Sequence, residues 1–298
     1  MKKLIATLTL AAAAAACSAN TPVTPGSQSS GTPTSTPDAS PAGSPTATPA
    51  STQVTLYYLV SGADEIFLTA ERHRIAKTVA IARAALEELL HGTPQDEDHT
   101  TPFPKATKVN SVVINNRVAT VDWSAEVLTG SGGSRVEELA IQSIVYTLTE
   151  FDSITKVRFT VEGKSQGTAS NGRSIEDFWG HVGLAGQPWS RAVSYEVLAP
   201  ITLWTPLEGT GSAGTLKLTG LAQTFEANVG IILRDANGKI VKQTNATALE
   251  AEPAREPFTK KLTFTPPSSP QTWTLEVFEA SAMDGEIVFM EDRSIAVG

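Results

Sequence analysis

Apolar positions change period several times along the chain. Residues 54–60 form a compact β-branched and aromatic run closed by Ser61-Gly62, and residues 65–75 read as a second extended piece. The period then becomes helical: Val79, Ala82, Leu86, Leu89 and Leu90 share one face, and the pattern stops at Gly92, a C-capping residue, with Pro94 beyond it. Residues 109–114 and 117–123 alternate on either side of Asn115-Asn116, and asparagine tolerates the positive φ of a two-residue hairpin turn. After the glycine-rich residues 130–133, Ser134-Arg-Val-Glu137 has the form of a capping box. Val136, Ala140, Ile144, Leu148 and Phe151 then mark a long buried helical face, widened by Ile141 and Val145. Val157, Phe159 and Val161 alternate before Glu162-Gly163. The order β(β)αββαβ predicts an α+β domain over residues 54–164, a small mixed sheet with two helices covering one face.

Residues 196–298 show no helical period. Seven short alternating runs (201–204, 215–221, 229–233, 239–244, 258–264, 273–278 and 287–290) are separated by turn residues, among them 235–238 and Asp284-Gly285. Pro266, Pro267 and Pro270 exclude a strand between Phe264 and Thr272. Seven strands in about a hundred residues predict an all-β, immunoglobulin-like sandwich. A connector, residues 165–195, joins the two units. Within it residues 175–184 are expected to form a short helix, and Trp179 and Trp189 to pack against one domain or the other.

The N-terminus has a different character. Lys2 and Lys3 precede an apolar run, Leu4 to Ala16, too short to span a bilayer, and Cys17 follows at once. Residues 1–16 read as an export signal. Ala14-Ala15-Ala16-Cys17 resembles a bacterial lipobox, whose cysteine is diacylated on sulfur, although Ala14 stands where Leu is usual. An ordinary A-x-A cleavage site is the alternative; the position of the chain's single cysteine favours lipid. Residues 17–53 follow as a tether. Between Ser18 and Gln53, 26 of 36 residues are Pro, Ser, Thr or Gly, with one charge and no aromatic side chain, so nothing offsets the entropy of ordering. Such a segment reaches about 35 Å as a coil and about 110 Å extended.

Net charge is −8, and 23 Lys+Arg scattered through 298 residues form no basic patch, which argues against a nucleic-acid partner. One cysteine excludes a disulfide framework and a CxxC site.

Residues 118–126 (Val-Ala-Thr-Val-Asp-Trp-Ser-Ala-Glu), Gly132-Gly133-Ser134, 137–140, 145–149 and 157–163 together resemble the GerMN domain found in sporulation and spore-germination proteins and in other lipoproteins of Gram-positive bacteria. Gly220-Leu-Ala222, Phe225-Glu-Ala227, residues 235–238 and 279–285 resemble the immunoglobulin-like domain of bacterial spore germination, a module that often follows GerMN. The resemblance implies a single plasma membrane and modules that assemble protein complexes.

Candidate chemistry is sparse. Residues 209–214 fit G-x-G-x-x-G, but an alternating strand rather than a helix leaves the motif, so it reads as a loop and no nucleotide is expected. His91 and His99 flank Asp96-Glu97-Asp98 at a spacing that matches no metal motif, and a solvated acidic loop is expected there. The pairs Glu87/Glu88 and Glu137/Glu138 point to different sides of their helices and are expected to be solvated. Asp122 and Trp123 are expected to close the hairpin and pack the sheet. Gly132, Gly133 and Ser134 open a helix N-terminus that could receive a small anion, with capping as the alternative. No catalytic residue, cofactor or metal is assigned.

The expected protein is therefore a non-catalytic lipoprotein, held at the extracytoplasmic face of the cell membrane by Cys17. Its two domains would serve as an interaction platform for an envelope protein or peptidoglycan. Capture of a small ligand or muropeptide between the domains is the alternative, favoured by an apolar cleft at Trp179, Trp189 or Trp204; a wall hydrolase is the third reading.

Overall fold

The computed structural model describes residues 50–130, 132–179, 183–184 and 186–298, so the export signal, Cys17 and nearly all of the tether lie outside the described residues. The described part belongs to one compact unit, Thr48–Gly298. It opens with a long hairpin, β1 (Ser51–Ser61) and β2 (Ile66–Ala76), paired antiparallel from Ser51↔Ala76 to Ser61↔Ile66. The strand thus begins inside the stretch expected as tether. Ser51, Thr52 and Gln53 are polar, but ladder pairing uses backbone groups and needs no apolar side chain.

Strand β1 is buried on both faces, which accounts for its unbroken apolar run. Val54, Leu56 and Tyr58 enter the core of the first domain. Tyr57 and Leu59 lie on the opposite face in a cluster with Leu68, Leu139, Tyr146 and Leu198, and Val60 at the tip belongs to the core of the second domain.

Helix α1 (Ile81–His91) buries Ala82, Ala85, Leu86, Leu89 and Leu90, and the Gly92 N–H closes it on Glu88 O at 2.7 Å. Val79 precedes the helix and is exposed, not part of its buried face. Strands β3 (Val109–Asn115) and β4 (Val118–Trp123) make the expected hairpin with the turn one residue later. Asn115 pairs with Val118, and Asn116 and Arg117 take the positive φ values, 49° and 64°.

Helix α2 (Gly133–Thr149) crosses over to β5 (Lys156–Val161), parallel to β4, in a sheet of order β3-β4-β5. The domain is α+β with its strands divided between this mixed sheet and the separate β1-β2 pair. The free edge of β1 is instead taken by the loop at Thr100, which exchanges two backbone hydrogen bonds with Leu59.

Among the described residues of 175–184 there is no helix; turns run through residues 176–179. Trp179 adopts φ 57°, which a right-handed helix forbids, and its Nε1–H donates to Val127 O at 2.6 Å. Trp189 bridges Val157 and meets Phe159 edge-on, ring centroids 4.9 Å apart. Both tryptophans therefore belong to the first core. A single turn, α3 (Ser194–Val197), leads onward.

The second domain has two sheets whose inward side chains share one core. One has the order β11-β8-β6, from β6 (Ile201–Thr205), β8 (Thr215–Ala222) and β11 (Glu256–Thr263). The other has the order β10-β9-β12-β13-β7, from β7 (Thr210–Ser212), β9 (Asn228–Arg234), β10 (Ile240–Thr247), β12 (Gln271–Ala280) and β13 (Ile287–Val297). Strand β7 is additional to the expected seven. It occupies the middle of the G-x-G-x-x-G segment, where it pairs in parallel with the end of β13, and β8 leaves the motif as a strand. Strand β13 runs seven residues past the expected Met290, because Glu291 and Arg293 take inward positions between Phe289 and Ile295 and break the apolar alternation without ending the strand.

No helix among the described residues is long and apolar enough to cross a membrane.

Candidate functional site

The most concentrated chemistry lies where the β1-β2 hairpin meets the sandwich. Period 2 along β2 places Thr69, Glu71 and His73 on one face, opposite Tyr58, Leu56 and Val54 in the hairpin register. The same period along β13 aligns Phe289, Glu291, Arg293 and Ile295. The loop after α1 supplies Gln95, Asp96 and His99, and α1 itself supplies Glu88.

These groups form one buried network. Glu71 Oε2 accepts from His73 Nε2 at 2.6 Å and from the Gln95 N–H at 2.8 Å, while Oε1 accepts from His99 Nδ1 at 2.6 Å and the Asp96 N–H at 3.2 Å. The other nitrogen of His73 donates to Glu88 Oε1 at 2.9 Å. Arg293 bridges to the second domain's side of the network, donating to Asp96 Oδ2 and, at 2.8 Å, to Glu291 Oε2. Thr69 donates to Glu291 Oε1 at 3.0 Å. His99 Nε2 faces Glu291 Oε2 at 3.6 Å and Asp96 Oδ2 at 3.8 Å, ion-pair distances rather than hydrogen bonds.

Geometry sets the protonation states. Burial alone would raise Glu71, but the hydrogen bonds from His73, His99 and the Gln95 N–H outweigh it and hold the carboxyl at about 2. Burial alone would lower His99; Glu291, Glu71 and Asp96 reverse the sign and push it up to about 9. His73 is raised against its burial by Glu71 and Glu88, and Glu291 is lowered against its burial by His99 and Arg293. His99 is thus imidazolium at neutral pH, and His73, with a carboxylate against each ring nitrogen, is shifted in the same direction. Asp96, His99 and Glu291 present ligand-type atoms within 4.8 Å of one another and could hold a cation. Arg293 already bridges the two carboxylates, so their charge is balanced by protein groups.

Two clefts open beside the network. One, of about 440 Å³, is bordered by Glu71, Asp96, His99 and Arg293; the other, of about 450 Å³, by Tyr146, Arg191 and Arg255. Arg72 and Trp204 line both, the guanidinium carbon 4.1 Å from the indole centroid.

The structure redistributes the residues singled out in the sequence. Asp96 and His99 are buried rather than part of a solvated loop, because Glu71 and Arg293 draw them into the junction; Glu97 and Asp98 stay exposed, and His91 is exposed and outside the network. Glu137 is buried rather than solvated because it lies on the packed side of α2, and Glu88 turns partly inward to His73. Asp122 accepts from Thr160 Oγ1 and the Gly163 N–H, and Trp123 is fully buried. Helix α2 starts at Gly133 with Gly132 at the N-cap, ahead of the Ser134 that a capping box requires. Gly132, Gly133 and Ser134 line neither junction cleft. Of the three tryptophans considered for a cleft, Trp204 lines both junction clefts, and Trp179 and Trp189 line neither. Glu71, His73, Glu291 and Arg293 were missed; the available signal was charged residues at the inward positions of two strands.

An α+β domain whose hairpin enters an immunoglobulin-like sandwich defines the class of molecule. Residues 55–167 match the Germane family, described as sporulation and spore germination, and residues 201–286 match Gmad2, the immunoglobulin-like domain of bacterial spore germination. The chain therefore carries a GerMN-type domain followed by a spore-germination immunoglobulin-like domain, neither of a known enzyme family. The tandem GerMN domains of the sporulation protein GerM from Bacillus subtilis are 27% identical, covering 48% of this chain and 46% of that one, with a TM-score of 0.38. The first GerMN domain of that protein is 28% identical over 43% of this chain and 96% of that one, with a TM-score of 0.34. The chain thus spans about half the length of the tandem structure. No curated protein matches it.

Proposed function

We propose that the protein is a lipoprotein anchored through Cys17 at the extracytoplasmic face of the cell membrane, where its two domains form a non-catalytic docking platform for an envelope protein or peptidoglycan. The single observation that carries this reading is the junction. A hairpin that shares the sandwich's core and a buried network of carboxylates, histidines and a guanidinium hold the two domains in one orientation. A composite surface of fixed geometry suits docking, since little interdomain freedom is lost when a partner binds. The lipobox-like segment and the Pro/Ser/Thr-rich tether support the location.

Co-sedimentation of the unit Thr48–Gly298 with purified peptidoglycan across a salt series, followed by crosslinking in cells, tests the platform. Salt-resistant pelleting, or a discrete crosslinked envelope protein, is expected. Turnover of purified wall, abolished by one carboxylate substitution, would overturn the non-catalytic reading. Cys17→Ser is expected to release the protein from the membrane fraction.

A second reading, capture of a small ligand or muropeptide, is favoured by the position of the Trp204 clefts at the domain junction.

A further inference from the structure

The cleft of about 450 Å³ has an unusual charge balance for a chain of net charge −8. It is lined by three guanidinium groups, Arg72, Arg191 and Arg255, and one carboxylate, Glu150. That carboxylate is already engaged, accepting from Arg191 at 2.5 Å and from the Tyr57 hydroxyl at 3.0 Å.

The other two cations lack an acidic partner. Arg255 donates to the Ala199 carbonyl and to Thr202 Oγ1, both at 2.6 Å, and among the described residues no carboxylate lies within ion-pair distance of it. Burial lowers it to about 10 against the more distant attraction of Glu291, so the water it has lost is not fully replaced by counter-charge. Arg72 lies on the face of Trp204 and likewise has no carboxylate at ion-pair distance among the described residues. Arg191 sits over Tyr146, its guanidinium carbon 4.7 Å from the ring centroid. Arg191 is already committed to Thr149, Glu150 and the Tyr146 carbonyl, whereas the guanidinium of Arg72, held flat on an aromatic face, keeps its N–H edge for an incoming acceptor.

We propose that this cleft binds an oxyanion, a phosphate or carboxylate group of a soluble ligand, with Arg255 and Arg72 as its principal donors and Trp204 as the flat surface beside it. The arrangement supplies forked donors, to which such anions bind through paired charge-assisted hydrogen bonds. The volume falls in the range of small-molecule sites, enough for the group that carries the anion. This deepens the ligand-capture reading and rests on it.

The test is a titration of the full chain, followed by the arginine Nε–H resonances. Inorganic phosphate is one probe, soluble muropeptides with free carboxylates a second, the same muropeptides with amidated carboxylates a third, and anionic phosphatidylglycerol vesicles a fourth. Saturable binding of phosphate or of the free-carboxylate muropeptides is expected, the first marking a phosphate source and the second a wall-peptide source. Arg255→Met and Arg72→Met should each weaken it about tenfold or more. Arg72 is exposed, so Arg72→Met keeps the test valid should Arg255→Met fail to fold, and Arg255→Lys should restore part of the affinity.

Equal binding of free and amidated muropeptides, indifferent to both substitutions, would overturn the oxyanion site while ligand capture stood. Binding to vesicles alone would overturn the site in favour of surface attraction to lipid. No binding by any probe would overturn both this inference and the capture reading.

Discussion

Phe67, on the hairpin of the first domain, meets Phe289 of the second edge to face, with ring centroids 5.9 Å apart and planes at 87°. The contact ties the two cores together, because Phe289 is fully buried and Phe67 and Val60 both pack into the same cluster. Phe289→Ala is expected to destabilise the protein by about 3–5 kcal/mol and Phe67→Ala by about 2 kcal/mol. Both should shift one cooperative unfolding transition in differential scanning calorimetry. Two transitions, only one of which moves, would show that the domains unfold independently.

Glu71 anchors the junction through four hydrogen bonds from two histidines and two backbone N–H groups. Glu71→Gln replaces its acceptor-only carboxylate with an amide that must present a donor to one of them, and leaves the His99 imidazolium short of a counter-charge. A loss of about 3–5 kcal/mol is expected, measured by urea unfolding. Glu97→Gln, two residues from His99 in sequence but exposed, should change stability by less than about 0.5 kcal/mol. Equal effects of the two substitutions would show that the buried network contributes nothing particular to the fold.

Stability should depend on pH in a defined direction. His99 is held at about 9 in the folded state, above its ordinary 6.5, so its contribution is complete below about 6.5 and is lost as pH rises toward 9. Glu71 is held at about 2, below its ordinary 4.5, so its contribution is complete above about 4.5 and is lost as pH falls toward 2. Glu279 and Asp292, raised by burial, act in the opposite sense on the acid side. Thermal melts across pH should show a maximum between about 4.5 and 6.5. His99→Asn should flatten the alkaline limb, and an unchanged limb would remove His99 from the network's energetics.

The β3-β4 turn can be improved. Arg117 adopts φ 64°, a left-handed conformation that strains a residue with a Cβ, and its carbonyl accepts from the Thr155 N–H at 2.8 Å. Arg117→Gly relieves the strain, keeps that carbonyl and creates the Asn-Gly pair preferred in such turns, so a gain of about 0.5–1 kcal/mol is expected. A loss in chemical denaturation would mean that the side chain does more than the backbone conformation requires.

Much of the fold was legible because strand and helix periods depend on local geometry. The buried face of α1, the β3-β4 hairpin and the alternation of β8 and β12 each follow from residues a few positions apart. The errors fell where distant chain decides. Residues 175–184 carry helix-compatible side chains, yet Trp179, tied to Val127, takes a backbone conformation that a right-handed helix does not allow. Residues 51–53 look like tether, but β2 is there to pair with them.

The chain by itself determined the order of its elements, the separation of an α+β unit from an all-β one, and the inward side of each strand. Tertiary structure alone decided what meets those inward sides. Glu71 and His73 on β2, and Glu291 and Arg293 on β13, look misplaced within their own strands, because a charge facing a core is costly when it stands alone. Each strand pairs its own two charges, and the remaining carboxylate and guanidinium valences are met only when strands some 220 positions apart are brought around Asp96 and His99 of the loop between them. Periodicity reports which way a side chain points; only the folded chain supplies the partner at the other end.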